Sequence, residues 1–128
     1  MMQNLEVVLV HGLWHQPVHF DRLADDLRGQ GVLVHVPRLH RGSLAADTAA
    51  VQETVDGCRT APVVVGHSYG GSVITGLERV GHLLYVAAFV PASAERMARR
   101  CTSTVSLSSS HSPFISRSRQ LADLIVKT

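Results

Sequence analysis

Ser68 sits in the stretch Gly66-His67-Ser68-Tyr69-Gly70-Gly71, preceded by Val63-Val64-Val65. A glycine two residues before a serine and another two residues after it suit a sharp strand-to-helix turn. The missing side chains let strand and helix approach, and the turn pushes the hydroxyl into the open. A serine held in that way can act as a nucleophile on a carbonyl carbon. The bland alternative is a glycine-rich turn between a strand and a helix with a solvated serine. The valine strand before the motif and the apolar pattern from Ser72 to Val80 after it are the context the nucleophilic reading requires.

Other residue types that could do chemistry are weaker. His11, His15 and His19 recur every four residues, a spacing that can bind a metal on a helix. Gly12 and Pro17 interrupt a helix there, and no nearby cysteine or acid completes a shell, so no metal site is assigned. His67 reads as packing around the turn. Arg96, Arg99 and Arg100 read as a solvated basic face. The chain has no phosphate-binding loop and no dinucleotide fingerprint, so no cofactor is expected.

The elements that must carry the serine alternate in type. Leu5 to Val10 reads as a buried strand ending in the turn His11-Gly12-Leu13-Trp14. Pro17 suits the first turn of a helix whose apolar stripe is Phe20, Leu23, Ala24 and Leu27, stopped by Gly29 and Gly31. A strand over Val32 to Val36 follows, then a loop over Pro37 to Gly42. A second helix is outlined by Ala45, Ala49, Val51, Gln52 and Val55, closing near Gly57. After the serine turn and its helix, on which Glu78 is placed, His82 to Val90 reads as a fourth strand ended by Pro91. The pattern predicts an α/β fold, a three-layer sandwich around a parallel sheet of about four strands with right-handed crossovers. Both His11–Trp14 and Gly66–Gly71 then fall at carboxyl ends of strands, where such sheets bind ligands.

Composition narrows the class. With 128 residues and 45% hydrophobic content, the chain is long enough for one packed domain. A net charge of +2 is too small to point to nucleic acid or a membrane surface. Two cysteines, Cys58 and Cys101, make no disulfide framework and fit a reducing compartment. The N-terminus has neither a cationic stretch nor a long apolar run, and no window approaches a membrane span. The expected location is cytoplasmic; the oligomeric state is left open.

Taken together, the motifs resemble the α/β-hydrolase fold family, in particular its small esterase-like and hydroxynitrile-lyase-like members. The carriers are Val8-Leu9-Val10-His11-Gly12, Pro37-Arg38-Leu39 with Gly42, the Gly66–Gly71 elbow, and the strand ending Val86-Ala87-Ala88-Phe89-Val90-Pro91. The resemblance covers residues 5 to about 95. It implies a cofactor-free serine hydrolase acting on a small acyl or ester substrate, with Ser68 as nucleophile. The backbone N–H groups of Leu13 and Tyr69 would form the oxyanion hole, which is worth a few kcal/mol of barrier. His11, Gly12, Gly66 and Gly70 would support that geometry, and Trp14, with Tyr69, would wall the acyl pocket.

The proton-handling half is not visible. The family order is serine, acid, histidine. Downstream of Ser68 stand only Glu78, Glu95 and Asp123, and only His82 and His111, and no complete triad can be assigned among them. The text also changes character. All ten glycines lie at or before residue 81, whereas eight of the twelve serines lie after residue 96. Residues 1–95 are expected to form a partial hydrolase domain. Residues 96–128 are expected to form an atypical Ser/Arg-rich tail, loop-like or disordered, with a short helix at its end. The break suggests a truncated or frame-shifted member; a natural short variant whose tail forms a different cap is the other reading. A four-stranded sheet would leave the Leu83–Val90 edge open to aggregation. Two function classes follow: a serine hydrolase, or a non-catalytic fragment or pseudoenzyme that keeps the elbow. A lyase on the same scaffold is a further variant of the first.

Overall fold

The structure, a computed structural model, describes residues 5–12, 20–39, 42–67, 69–86, 102–105 and 118–127. Its elements in chain order are β1 (Glu6–Val10), α1 (Asp21–Arg28), β2 (Leu33–His35), α2 (Leu44–Asp56), β3 (Val63–His67), α3 (Tyr69–Ile74), β4 (His82–Val86), β5 (Thr102–Val105) and α4 (Ser118–Lys127). The strands form one parallel sheet in the order β2-β1-β3-β4-β5.

The core explains the layering. Val7 to Val10 are all fully buried, as a strand covered on both faces must be. Val7 and Leu9 pack with Leu23, Ala24 and Leu27 of α1 and with Leu121, Ala122 and Ile125 of α4. Val8 and Val10 pack on the other face with Val51 and Val55 of α2 and Val73 and Ile74 of α3. The alternating side-chain direction of β1 thus sorts the helices into two layers, giving the three-layer α/β sandwich expected.

Helix ends follow local chemistry. The Ser43 hydroxyl caps α2 by accepting from Ala46 N–H at 3.0 Å. Gly31, at φ +84°, supplies the left-handed residue that turns the chain out of α1 toward β2.

Three features differ from the sequence reading. The elbow helix is short: the chain leaves α3 after Ile74, where Thr75 and the poor helix former Gly76 follow. Glu78 therefore lies beyond the helix, its backbone N–H donating to Gln52 Oε1 at 2.8 Å and its carbonyl accepting from Gln52 Nε2 at 3.0 Å.

The segment expected to be loop-like also contributes structure. Thr102–Val105 runs parallel to Leu83–Val86, so β4 is not the edge strand and the expected open edge is covered over Leu83–Val86; residues 87–90 of the expected strand lie outside the described residues. The four residues Thr-Ser-Thr-Val are half β-branched polar, which hides a strand from a hydrophobic-period argument.

The final helix, expected at about Gln120 to Val126, is an integral part of the core. Leu121, Ala122 and Ile125 are 1%, 0% and 0% exposed. Burying two large aliphatic side chains contributes about 3–6 kcal/mol. Among the described residues, no helix is long and apolar enough to cross a membrane.

Candidate active site

The chain reverses its direction of travel across the sheet between β1 and β3: β2 lies on one side of β1, and β3, β4 and β5 on the other. At such a switch point the connections leave in opposite directions, opening a crevice beyond the carboxyl ends of the two strands. Val10 is paired with Gly66, so both sequence-predicted turns leave the sheet side by side.

Two glycines set the geometry around Ser68, which itself lies outside the described residues. A Cβ on Gly66 would stand 2.7 Å from Gly70 O and 2.8 Å from Ile74 Cδ1. A Cβ on Gly70 would run into the carbonyl oxygens of Val10 and His11. Strand β3 thus touches the first turn of α3, and that turn lies directly on the end of β1. Only residues without a side chain permit this stack.

His11 ties a third strand end to the same place. It is fully buried; Leu39 N–H donates to its Nε2 at 3.1 Å, and its Nδ1 lies 2.9 Å from Gly12 O. Because Nε2 accepts, the ring is neutral with its proton on Nδ1, which donates to the Gly12 carbonyl. One imidazole thereby fixes the backbone at Gly12 against the Leu39 segment that follows β2. His67 is buried in β3 on the other side of the elbow.

Tyr69 follows the serine directly, and its side chain reaches α2. Its hydroxyl donates to Asp47 Oδ2 at 2.7 Å. Burial together with the hydrogen bond and negative charge of Asp47 pushes the phenol up to about 12. Thr48 Oγ1 donates to Val73 O at 3.0 Å, a second tie between the start of α2 and α3.

The sequence that builds these elements matches a known family. A model of the alpha/beta hydrolase family matches residues 7–125. The chain belongs to that family. Among curated proteins, this alpha/beta hydrolase is 36% identical to a carbendazim-hydrolyzing esterase of Nocardioides sp. (strain SG-4G), the match covering 66% of this chain. The chain spans 42% of the length of that esterase. A solved pyrethroid hydrolase from Sphingobium faniae JZ-2 superposes with a TM-score of 0.76 at 15% identity, covering 96% of each chain. An extracellular alpha/beta-hydrolase from Paenibacillus species gives 0.61 at 23% identity, covering 75% of this chain and 50% of its own. At these identities the structural likenesses carry the fold alone.

Of the sequence-predicted site residues, the structure brings His11, Gly12, Gly66, Tyr69 and Gly70 together at the switch point. Leu13 and Trp14 lie outside the described residues with Ser68, as do His15, His19, Glu95 and His111. His82 pairs with Val63 at the amino end of β3, about 13 Å along the strand from the elbow. Asp123 is exposed on α4, its Oδ1 accepting from Gln30 Nε2 at 3.3 Å.

Sequence reasoning missed Asp47. An acid in the first turn of a helix reads as a solvated partner of the helix dipole. Here it is 3% exposed and accepts from the residue after the serine.

Proposed function

We propose that this alpha/beta hydrolase carries the nucleophile and oxyanion half of a serine esterase site acting on a small ester. The observation that supports the reading is the close packing of Gly66 on Gly70, and of Gly70 on the carbonyls of Val10 and His11, two glycines that flank residue 68 in the sequence. In this reading Ser68 Oγ attacks the ester carbonyl carbon. The carbonyl oxygen takes up the negative charge against the backbone N–H groups of Tyr69 and Leu13. The alcohol leaves, and water hydrolyses the acyl-serine in a second step of the same kind. The Ser68 proton passes to a base and then to the departing alkoxide. His11 is not that base, because its Nε2 lone pair is held by Leu39 N–H.

A second reading has its own support: the fold and elbow without proton handling. Among the described residues downstream of Ser68, His82 stands at the far end of the sheet and Asp123 on an outer helix. A lyase on the same scaffold would share the elbow, since fold does not fix reaction.

A fluorophosphonate probe and a chromogenic short-chain ester separate the readings. The esterase reading expects covalent labelling and slow turnover, both lost in Ser68→Ala. Labelling without turnover of any ester favours the lyase. A chain that melts cooperatively yet does not label overturns the catalytic reading and leaves the inert one.

A further inference from the structure

Away from the elbow, three side chains with metal-binding atoms converge near the amino end of β1. Glu6 opens β1 and lies opposite Leu33 of β2, two residues before His35 on the same face. Cys58 follows the end of α2. One ligand atom from each of the three, a His35 ring nitrogen, Cys58 Sγ and a Glu6 carboxylate oxygen, lies within 4.8 Å of the other two. His35 Nε2 and Glu6 Oε1 are already 3.1 Å apart.

The carboxylate is set in place before any ligand arrives. Glu6 is 4% exposed, and its Oε2 accepts from Arg59 N–H at 2.7 Å and Thr60 N–H at 3.1 Å. Two fixed amides hold one oxygen and aim the other at His35, the outer-sphere support that metal-ligating carboxylates require. The Cys58 thiol donates to Thr54 O at 3.5 Å, and burial with the negative charge of Glu6 pushes it up to about 11, so a metal has to displace its proton. An outward-opening cavity of about 400 Å³, lined in part by Cys58, Arg59 and Thr60, lies on the Cys58 side of the cluster.

We propose that Glu6, His35 and Cys58 form a binding site for a borderline-soft divalent cation of the zinc type, completed by water as the fourth ligand. In a tetrahedral zinc shell neighbouring donor atoms stand about 3.3–3.6 Å apart, as Zn–N and Zn–O bonds near 2.0 Å and Zn–S near 2.3 Å require. The His35–Glu6 separation of 3.1 Å nearly meets that, and Cys58 Sγ lies within 4.8 Å of both partners. On binding, Cys58 releases its thiol proton to solvent and coordinates as thiolate. His35 gives up the Nε2 proton that it donates to Glu6 Oε1, to solvent or by tautomerisation to Nδ1, and coordinates through neutral Nε2 with a proton on Nδ1, while Glu6 Oε1 exchanges that hydrogen bond for the metal. One sulfur, one nitrogen and one oxygen select zinc, and cobalt as its substitute, over magnesium or calcium. The two anionic ligands balance the dication in a partly buried place. The site stands apart from the elbow and does not depend on the esterase reading.

The test uses the full chain carrying Cys101→Ser, so that Cys58 is the one thiol. Co²⁺ is titrated in, followed by Zn²⁺. The expected result is a near-ultraviolet thiolate-to-cobalt charge-transfer band saturating at one equivalent, with visible absorption of tetrahedral intensity, both removed by Zn²⁺. Cys58→Ser abolishes the band, and His35→Gln weakens affinity by about tenfold or more, in the range metal-site substitutions show. Circular dichroism checks that each variant is folded. Absence of the band, or a band that persists in Cys58→Ser, overturns the site. Undiminished affinity in folded His35→Gln overturns the three-ligand assignment.

Discussion

The Tyr69 hydroxyl donates to Asp47 Oδ2 at 2.7 Å, joining the residue next to the candidate nucleophile to the first turn of α2. Asp47 is almost wholly buried, so its carboxylate relies on protein partners for what water would otherwise give. Tyr69→Phe removes one of those partners while keeping the ring. Leaving a buried acceptor short of a donor costs about 1–3 kcal/mol. Urea melts of Tyr69→Phe and the parent chain should differ by that amount. If Asp47→Asn and Tyr69→Phe are as costly together as the sum of each alone, the two residues are not coupled and the tie carries no energy.

The same pair sets an alkaline limit. Tyr69 is held protonated to about 12, first by burial and then by the hydrogen bond and charge of Asp47. The unfolded chain loses its tyrosine proton near 10. Between those values the folded state binds the extra proton, so stability is full below about pH 10 and falls as pH rises through the folded value. Spectrophotometric titration should show Tyr69 ionising late. Tyr85, whose ring is raised by burial and partly offset by the Thr75 hydroxyl 3.1 Å away, should also titrate above the ordinary range. A phenolate step of two tyrosines near 10 would contradict both.

Gly70 is the tightest point of the elbow. Its missing Cβ faces backbone carbonyls of Val10 and His11, which cannot move aside without shifting β1. Gly70→Ala should therefore cost at least the 1–3 kcal/mol typical of overpacking, with loss of any Ser68 labelling. Gly76→Ala is the control. Its nearest neighbour would be Thr48 Cγ2 at 3.8 Å, an ordinary contact. That substitution should be neutral or slightly stabilising, since it restricts the unfolded chain. Equal melting midpoints for the two variants would remove the steric argument.

The contrast between these glycines shows what was legible in the sequence. The spacing of Gly66 and Gly70 around a serine, after a valine run, specified a strand, a turn and a helix because each step has a local cause. The paired burial of Val7 to Val10 was likewise legible from an unbroken apolar run. Asp47 was not, since nothing local distinguishes a buried first-turn acid from a solvated one; only the packing of α2 on α3 decides it. Thr102–Val105 escaped for a related reason. Its pairing with β4 is a non-local backbone ladder, and its polar side chains carry no period.

His11 offers a prediction free of mutation. With Leu39 N–H donating to Nε2 and Gly12 O accepting from Nδ1, the ring should be the Nδ1–H tautomer. Long-range nitrogen–proton NMR correlations distinguish the tautomers directly. An Nε2–H ring would require both contacts to be broken and the backbone at Gly12 to be held differently. His11→Ala, which strands the Leu39 amide and the Gly12 carbonyl and leaves a void, should cost about 2–4 kcal/mol in a denaturant melt.

The C-terminal helix provides the strongest test of whether residues 118–127 belong to the domain. Ile125 is fully buried among α1 and the sheet, with Leu121 one turn before it on the same face of α4. Removing three heavy atoms from such a side chain costs about 2–5 kcal/mol, depending on how far the site collapses. Domains of this kind have only about 5–15 kcal/mol in total. Ile125→Ala should thus lower the urea midpoint clearly, whereas Leu124→Ala, at a position 38% exposed, should change it little. The pair tests register as well as docking. If α4 were rotated on α1, the sensitivity would move to Leu124; if the helix were merely attached, neither substitution would matter.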